Sequence, residues 1–382
     1  MIERRLEICA VLGLLKRNPA IGIIGARQVG KTTLARQIVA QYKKPHSFFD
    51  LENTEDLSLL SDPMLALKGL KGLVVIDEIH RYPDIFPTIR VLADRPNNPA
   101  RFIILGSASP SLLRQSSETL AGRIAYHELK GLALDEVGIG NENRLWLRGG
   151  FPRSFLAYSL GASDEWRRNF IKTYIERDLP QLGINIRSNT LYRFWSMLAH
   201  YHGQSWNASE FGRSFGVADT TIRHYLDILA STFVVRLLPP WHENISKRQV
   251  KAPKVYIADT GLLHTLLNIK TMEDLQKNPK VGASWEGFVI EQIIRRLNAA
   301  AEECFCWATH GGAELDLMIA RGSKRLGFEV KLTSSPTITK SMKISIDTLR
   351  LHSLTVIHAG EKTYHLDKKV RAVALKDILT EI

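Results

Sequence analysis

Cysteine is scarce in this sequence, because a chain of 382 residues contains only Cys9, Cys304 and Cys306. So few cysteines exclude the multiple bridges that stabilise disulfide-rich extracellular scaffolds. Cys304 and Cys306 are separated by a single residue and have no companion pair, a spacing that argues against a zinc site. We therefore expect the protein to reside in the reducing cytoplasm.

Long hydrophobic runs are lacking as well. No uninterrupted apolar stretch approaches the roughly 18 residues that a membrane-spanning helix needs. The N-terminal segment carries early positive charge, but Glu7 and Lys16 bracket its apolar part and no small-residue cleavage site follows. We therefore expect neither a signal peptide nor a membrane partner. Hydrophobic residues make up 45% of the chain and charged residues 24%, as is typical of a soluble globular protein of two or three domains.

Positive charge is present in excess. The formal net charge is +12 and the isoelectric point is near 9.6. Such a balance favours approach to a polyanion, and nucleic acid is the usual polyanion for a soluble protein. A basic surface that only maintains solubility would give the same total, so the charge alone leaves both interpretations open.

A glycine-rich segment matches the pattern G-x-x-x-x-G-K-[ST]. An apolar strand, Ala20–Ile24, precedes it and residues with helical spacing follow it, which is the context that a phosphate-binding loop requires. Gly25 and Gly30 allow several backbone N–H groups to turn inward, Lys31 can reach the β- and γ-phosphates, and the Thr32 hydroxyl is placed for Mg²⁺. The residues predicted to contact the nucleotide are Gly25, Arg27, Gln28, Val29, Gly30, Lys31, Thr32 and Thr33.

Two carboxylates, Asp77 and Glu78, end an apolar strand about 45 residues after Lys31, where a second nucleotide motif belongs. Asp77 is predicted to hold Mg²⁺ through water, and Glu78 to orient and deprotonate the attacking water. A solvated loop could also begin with two acids, but the upstream phosphate loop favours the nucleotide role. Ser107, after the next apolar strand, is a candidate sensor of the γ-phosphate or equally a small turn former.

Phosphoryl transfer also benefits from a cation at the developing negative charge. Arg123 is the candidate catalytic arginine, and a surface ion pair is the alternative role for it. The sequence does not tell whether Arg123 acts within its own chain or in a neighbouring one, and action in a neighbour would require a homo-oligomer.

The sequence pattern changes near residue 140, and a helix-turn-helix is predicted further on. Two capped helices with a turn at Gly216 occupy residues 207–231, and two strands that resemble a wing follow them. The predicted DNA contacts, on the second helix and at the wing tip, are Thr221, Arg223, Lys247, Arg248 and Lys251. A winged helix that mediates protein contacts or bridges domains would use the same elements.

This chain resembles the prokaryotic AAA-type ATPases of the archaeal-ATPase-like group. The resemblance rests on the phosphate loop, on Asp77 and Glu78, and on residues 106–107 and 122–123. Members of this group commonly carry a C-terminal region of unknown function. Further matching segments extend the resemblance over most of the chain: 149–152, 174–179, 259–262 and 285–286. The resemblance implies ATP binding with slow hydrolysis, a winged helix-turn-helix, and a terminal fold similar to the restriction-endonuclease-like superfamily.

The C-terminal region contains the pattern of a PD-(D/E)xK nuclease. Asp316 on one predicted strand and Glu329 with Lys331 on the next would share a face, because side chains alternate along a strand. Asp316 and Glu329 are the predicted metal ligands, Glu286 on the preceding helix completes the cluster, and all four residues are candidate catalytic groups. A half-exposed strand also alternates Glu-Val-Lys, and domains of this kind often persist as binding scaffolds.

The predicted fold class is α/β, in three regions. Residues 1–140 form a P-loop AAA-type parallel sheet with helices, 141–260 a helical and winged helix-turn-helix region, and 261–382 a restriction-endonuclease-like domain. Our leading hypothesis is a switch that depends on ATP and Mg²⁺ and acts on DNA, with or without cleavage. The alternative is a nucleotide-regulated protein-interaction module whose nuclease-like domain is inactive.

Overall fold

The computed structural model describes residues 2–97, 99–106, 119–242 and 249–382. The chain divides into two compact units: the first comprises Met1–Gly131 with Ser231–Phe233, and the second comprises Leu132–Ala230 with Val234–Ile382. The predicted middle region and the predicted C-terminal domain thus lie in one compact unit. In the part of the chain that is described, no helix has the length and apolar character needed to cross a membrane.

The first unit contains a five-stranded parallel sheet in the order β2-β3-β4-β1-β5. Its strands are β1 Ala20–Ile24, β2 His46–Asp50, β3 Gly72–Asp77, β4 Ala100–Leu105 and β5 Ile124–Glu128. The α-helices described around it are Arg5–Arg17, Lys31–Gln41, Thr54–Leu59, Pro63–Lys68 and Phe86–Ala93. Strands β3 and β4 are apolar runs because parallel strands are covered on both faces, and their side chains form much of this unit's core.

The second unit contains two sheets. The smaller consists of three antiparallel strands in the order β6-β8-β7, namely β6 Gln204–Ser205, β7 Val235–Leu238 and β8 Lys254–Ile257. The larger is a mixed sheet in the order β13-β14-β12-β11-β10-β9. Its strands are β9 Cys304–Ala308, β10 Glu314–Arg321, β11 Lys324–Lys331, β12 Ser353–His358, β13 Tyr364–Asp367 and β14 Val370–Ala374.

Helices make up most of the rest of the second unit. One of them, Tyr174–Asp178, is a π-helix, a local form that the sequence pattern did not predict. The described α-helices are Leu134–Val137, Glu142–Arg148, Pro152–Phe155, Leu160–Thr173, Leu179–Gln181, Ser188–His200, Ala208–Phe215, Asp219–Ser231, Thr260–Leu266, Met272–Lys277, Val281–Arg296, Lys340–Leu349 and Ile378–Glu381.

The two helices predicted between residues 207 and 231 are present as Ala208–Phe215 and Asp219–Ser231, and Gly216 ends the first in a left-handed conformation with φ of 68°. Strands β7 and β8 follow as an antiparallel pair. The described residues that connect β7 to β8, on either side of 243–248, pack against the larger sheet. The N–H groups of Trp241 and Val250 donate hydrogen bonds to carbonyl oxygens of β9, at 2.7 and 3.0 Å, which ties both segments to the edge of the larger sheet.

Residues 149–152 and 259–262, which the sequence singles out, meet in the second unit. The Asp259 carboxylate accepts a hydrogen bond from the N–H of Gly150 at 2.7 Å and caps the helix Thr260–Leu266 by accepting from Leu262. Gly261 packs so closely on the preceding segment that an added Cβ would lie 2.1 Å from the carbonyl oxygen of Arg148. No side chain fits there unless the backbone moves.

We therefore predict that Gly261→Ala destabilises the second unit by about 2–3 kcal/mol, because the new methyl group would overlap a backbone atom that cannot swing aside. Gly282→Ala is the matched control, since nothing lies within 4 Å of a Cβ at that helical position and alanine favours helix by up to about 1 kcal/mol. All seven tryptophans lie within residues 132–382, so urea unfolding followed by tryptophan fluorescence reports on this unit. Equal midpoints for the two variants would contradict the packing argument.

Candidate functional site

The predicted nucleotide residues assemble at one edge of the parallel sheet. Strand β1 leads into the glycine-rich loop and β3 ends at Asp77, and the carboxyl ends of parallel strands lie at the same edge. The Thr32 hydroxyl donates a hydrogen bond to Oδ2 of Asp77 at 2.7 Å. The two side chains predicted to hold Mg²⁺ are therefore in direct contact although they are 45 residues apart in sequence.

The loop between β1 and the helix Lys31–Gln41 has an unusual backbone. Gly25 has φ of 150°, and an added Cβ would lie 2.3 Å from the carbonyl oxygen of Leu129, so glycine is required at this position. Gln28 and Gly30 also have positive φ, at 61° and 104°, and Gly30 stands directly before the helix. A helix N-terminus preceded by such a loop presents backbone N–H groups to an anion.

Lys31 lies within this loop and is only 8% exposed. Its Nζ donates hydrogen bonds to the carbonyl oxygens of Gly25 and Ala26, at 3.1 and 3.0 Å. Burial lowers the pKa of Lys31 to about 8, although Glu78 and Asp77 work in the opposite direction. The ammonium group is thus held at the loop by carbonyl oxygens alone, with no carboxylate of the described residues within hydrogen-bond distance of it, which suits it to a phosphate.

The two carboxylates at the end of β3 are in different electrostatic environments. Burial raises the pKa of Asp77, although the hydrogen bond from Thr32 opposes this effect. Burial would also raise the pKa of Glu78, but the contact with His80 and the nearby Lys31 outweigh it and hold the pKa below its usual value. The Nδ1 atom of His80 lies 3.1 Å from Oε2 of Glu78. Glu78 is therefore an ionised carboxylate at neutral pH.

Glu78 also has a left-handed backbone, with φ of 51°. A non-glycine residue in this region is uncommon and is found preferentially at functional sites. The hydroxyl of Thr32 and the carboxylate of Asp77 are hard oxygen donors, which fit Mg²⁺ with water completing its shell.

One predicted member of the nucleotide site, Arg123, lies away from it. Arg123 precedes β5, and its carbonyl oxygen accepts from the N–H of Ala20, the first residue of β1. It therefore lies at the amino edge of the sheet, opposite the phosphate loop, and its guanidinium makes two hydrogen bonds with Asp94 at 2.6 and 2.8 Å. The predicted role of Arg123 within its own chain does not fit this placement, and a role in a neighbouring chain stays a prediction. Ser107 lies outside the described residues.

In the second unit, the predicted acidic residues come together in a buried cluster, which we call the carboxylate cluster. Glu286 extends from the helix Val281–Arg296, Asp316 lies on β10 and Glu329 lies on β11. Asp316 stands where the pairing of β10 with β9 shifts register, between Leu315 and Met318, and its Oδ2 accepts a hydrogen bond from the N–H of Val330 at 3.0 Å. Irregularities of this kind redirect a side chain, often beside an active site.

Two further residues that the sequence pattern did not single out, Lys254 and Tyr256 of β8, complete the cluster. The Nζ of Lys254 lies 3.1 Å from Oε1 of Glu286 and 3.3 Å from Oδ1 of Asp316, and the Tyr256 hydroxyl donates to the same Glu286 oxygen at 2.6 Å. Burial alone would lower the pKa of Lys254, but the surrounding acidic groups carry it well above its usual value. Lys254 is the first residue of a strand whose four residues are all buried, and this burial is evident only in the folded structure.

Glu329 and Lys331 form the other half of the cluster. The Lys331 ammonium lies 2.9 Å from Oε2 of Glu329, while Oε1 of Glu329 is buried with no hydrogen-bond partner among the described residues. Burial and the nearby Asp316 raise the pKa of Glu329 to about 8, against the effect of Lys331. Burial would lower the pKa of Lys331, but Glu329 and Asp316 raise it overall.

The predicted metal pair of Asp316 and Glu329 stays a prediction. Over the ranges that the structure describes, no group of three or more His, Cys, Asp or Glu side chains is arranged to hold a metal ion. The Lys254 ammonium lies against both Glu286 and Asp316, at 3.1 and 3.3 Å. The four predicted catalytic residues are near one another, but their charge is balanced by lysines.

The predicted DNA contacts are only partly described. Arg223 and Lys251 are exposed, whereas Thr221 is half-buried at the start of the helix Asp219–Ser231. Asp227 is exposed one turn beyond Arg223, so this helix face carries both signs of charge. Lys247 and Arg248 lie outside the described residues.

Comparison with known families agrees with the nucleotide site. Residues 17–138 match an AAA domain, residues 141–273 match a domain of unknown function, DUF8612, and residues 281–378 match another, DUF4143. Among solved structures, the walker-type ATPase PABY2304 of Pyrococcus abyssi aligns with a TM-score of 0.49 at 16% identity, over 70% of this chain and 96% of that chain.

Two curated mycobacterial proteins are similar over the whole chain. The uncharacterized protein Rv2008c of Mycobacterium tuberculosis is 50% identical over 380 residues, which cover 100% of this chain and 85% of that protein. The uncharacterized protein Mb2031c of Mycobacterium bovis matches with the same identity and coverage. The chain therefore belongs to the family of these two mycobacterial proteins and combines an AAA domain with two domains of unknown function.

Proposed function

We propose that this chain hydrolyses ATP in the presence of Mg²⁺ and that its nucleotide state controls the engagement of DNA by the second unit. The single observation that carries the ATPase part is the contact of Thr32 with Asp77, beside Lys31 and Glu78. These four residues supply the groups that phosphoryl transfer needs, namely metal ligands, a phosphate-binding cation and a carboxylate for the attacking water.

In the proposed reaction, the backbone N–H groups of the loop and the Lys31 ammonium bind the β- and γ-phosphates. Thr32 and Asp77 would hold Mg²⁺, which supplies positive charge to the phosphate oxygens when bound. Glu78 accepts a hydrogen bond from a water molecule and directs its oxygen at the γ-phosphorus. The bond from that phosphorus to the bridging oxygen of ADP breaks as the bond to water forms, and the Glu78 carboxylate takes the proton that the water loses. The products are ADP and inorganic phosphate, and the proton then passes from Glu78 to phosphate or solvent.

The DNA part of the proposal is supported by charge and by exposure. The whole chain carries a net charge of +12, and Arg223 and Lys251 are exposed in the helix-turn-helix and hairpin region. The excess of basic residues is spread over both units, so the predicted basic C-terminal half is no more basic than the remainder. Engagement would therefore depend on a few placed side chains.

We predict that the double variant Arg223→Ala/Lys251→Ala weakens duplex DNA binding and reduces the slope of log K against log salt by about 2, since each lost phosphate contact removes about 0.9. Lys324→Ala/Lys340→Ala is the matched control, because both lysines are exposed but lie in the larger-sheet part of the unit. Fluorescence anisotropy with a labelled duplex measures both. An unchanged slope in the first variant would remove this surface from the proposal.

The switch itself is tested by repeating the titration with ADP and with a non-hydrolysable ATP analogue. We expect the two nucleotides, at concentrations that saturate only the native chain, to give different DNA affinities in the native chain and the same affinity in Lys31→Ala. Equal affinities in the native chain would leave an ATPase without DNA control.

A second candidate function is a nucleotide-regulated protein-interaction module. An exposed apolar segment favours it: Leu156, Tyr158 and Leu160 are 52%, 94% and 41% exposed within five consecutive residues. The lysines that neutralise the carboxylate cluster also agree with a domain that binds without cleaving. This candidate predicts DNA retention no stronger than weak charge attraction, so the same salt titration separates the two functions.

A further inference from the structure

The carboxylate cluster contains its own cation. Lys254 is 7% exposed, and its ammonium contacts both Glu286 and Asp316, at 3.1 and 3.3 Å. These two carboxylates come from different elements, a helix and a strand of the larger sheet, while Lys254 comes from the three-stranded sheet. Three separate elements thus converge so that one ammonium group lies between two acids.

A divalent metal and the Lys254 ammonium could not share this position. Divalent cations bind carboxylate oxygens at about 2.0–2.6 Å, closer than the separations that Lys254 keeps. A metal bridging Glu286 and Asp316 through the oxygens that face Lys254 would compete with the ammonium for them, and the two cations would repel each other at short range in a buried environment. Exclusion of a metal by Lys254 is therefore steric as well as electrostatic.

Glu329 is the third carboxylate of the cluster, and its counter-charge is Lys331, whose ammonium lies 2.9 Å from its Oε2. Glu329 is 2% exposed, and its Oε1 lacks a hydrogen-bond partner within the described part of the chain. The side chains of Glu286 and Lys331 are 20% and 37% exposed, so the cluster is reachable from solvent.

We propose that Lys254 is a resident cation that takes the place of a divalent metal between Glu286 and Asp316 and keeps Mn²⁺ and Mg²⁺ out of the native cluster. The native second unit then performs no metal-dependent cleavage at this cluster. The proposal concerns a different unit from the phosphate loop and does not depend on the nucleotide function.

The first test compares Mn²⁺ binding by the nucleotide-free full chain and by Lys254→Met, using electron paramagnetic resonance of the free ion. Methionine keeps an unbranched side chain and removes the charge. We expect Lys254→Met to bind one more Mn²⁺ per chain than the native protein and Lys254→Met/Asp316→Asn to lose it. Lys254→Arg, which keeps a cation at the position, is the matched control and should bind no additional ion.

Stability supplies a second readout. Removal of the lysine leaves buried carboxylates without a counter-charge, which is destabilising, so the Tm of Lys254→Met should fall. A ligand that binds only the folded state raises Tm. Mn²⁺ should therefore raise the Tm of Lys254→Met, followed by tryptophan fluorescence, and leave that of Lys254→Arg unchanged.

A comparison of the native chain with Asp316→Asn tests the proposal even if Lys254→Met does not fold. Native protein and Asp316→Asn should bind the same number of Mn²⁺ ions, and neither should nick plasmid DNA with Mn²⁺. Binding or nicking that Asp316→Asn abolishes would overturn the proposal, because it would mean that a metal displaces Lys254. A folded Lys254→Met that binds no additional Mn²⁺ would overturn it as well.

Discussion

Replacement of Lys31 by alanine is expected to weaken ATP binding roughly 100-fold, which corresponds to a loss of about 3 kcal/mol from a charged hydrogen-bond donor. The side chain is almost fully buried and held at the phosphate loop by the carbonyl oxygens of Gly25 and Ala26. Its ammonium is thus already placed when the nucleotide arrives, so little ordering cost is added on binding.

A fluorescent ATP analogue measures this loss directly, because the first unit contains no tryptophan that would interfere. Lys43→Ala is the control, since Lys43 is an exposed lysine just after the same helix. AMP, which lacks the β- and γ-phosphates, should bind equally weakly to native protein and Lys31→Ala. An ATP affinity that is the same in native protein and in Lys31→Ala would remove the phosphate-binding role.

The same lysine makes ATP affinity sensitive to pH. Burial lowers the pKa of Lys31 to about 8, and the phosphates require its charged form, so binding above this pH must add a proton. Affinity should therefore be constant below about pH 8 and then fall by at most about tenfold per pH unit. In the nucleotide-free chain the unfolded state holds this proton up to the ordinary lysine pKa of 10.5. The lowered pKa therefore reduces the stability of the folded state in full below about pH 8, and this cost is relieved as the pH rises from about 8 to 10.5.

The nucleotide site could be predicted from sequence because its determinants are local. The loop, its strand and its helix are contiguous, and Asp77 follows an apolar run that only a doubly covered strand explains. The strand order that brings Thr32 to Asp77 is a property of the whole sheet, but the two motifs already imply the contact. The left-handed backbone of Glu78 carries no sequence signal, because glutamate is not a residue that favours it.

The carboxylate cluster could be predicted only in part. The alternation of Glu329 and Lys331 on one strand, with Asp316 on its neighbour, is visible in the sequence. Lys254 is not, because it is separated from Asp316 by 62 residues and belongs to a hairpin whose place in the fold depends on tertiary packing. The placement of Arg123 could not be predicted either, since nothing in the neighbouring sequence indicates that Asp94 is its partner.

Replacement of Glu78 by glutamine is expected to separate hydrolysis from binding. Turnover should fall about 10²–10⁴-fold, the usual contribution of a positioned acid or base, while ATP affinity changes much less, because the loop N–H groups and the Lys31 ammonium that bind the phosphates remain in place. Glutamine keeps the shape of the side chain but cannot take up a proton or carry the charge that orients water. Phosphate release under saturating ATP, together with the analogue titration, measures the two effects.

Glu52→Gln is the matched control, because this carboxylate follows the neighbouring strand β2 and is exposed. His80→Ala extends the test, since the contact with His80 is a main reason why the pKa of Glu78 is low. Without it the pKa should rise, and the acid limb of the pH–rate profile should move to higher pH. A Glu78→Gln variant that loses affinity and turnover together would show that Glu78 only supports the fold of the loop. A selective loss of turnover in Glu78→Gln, together with a shifted pH–rate profile in His80→Ala, would assign Glu78 to the attacking water.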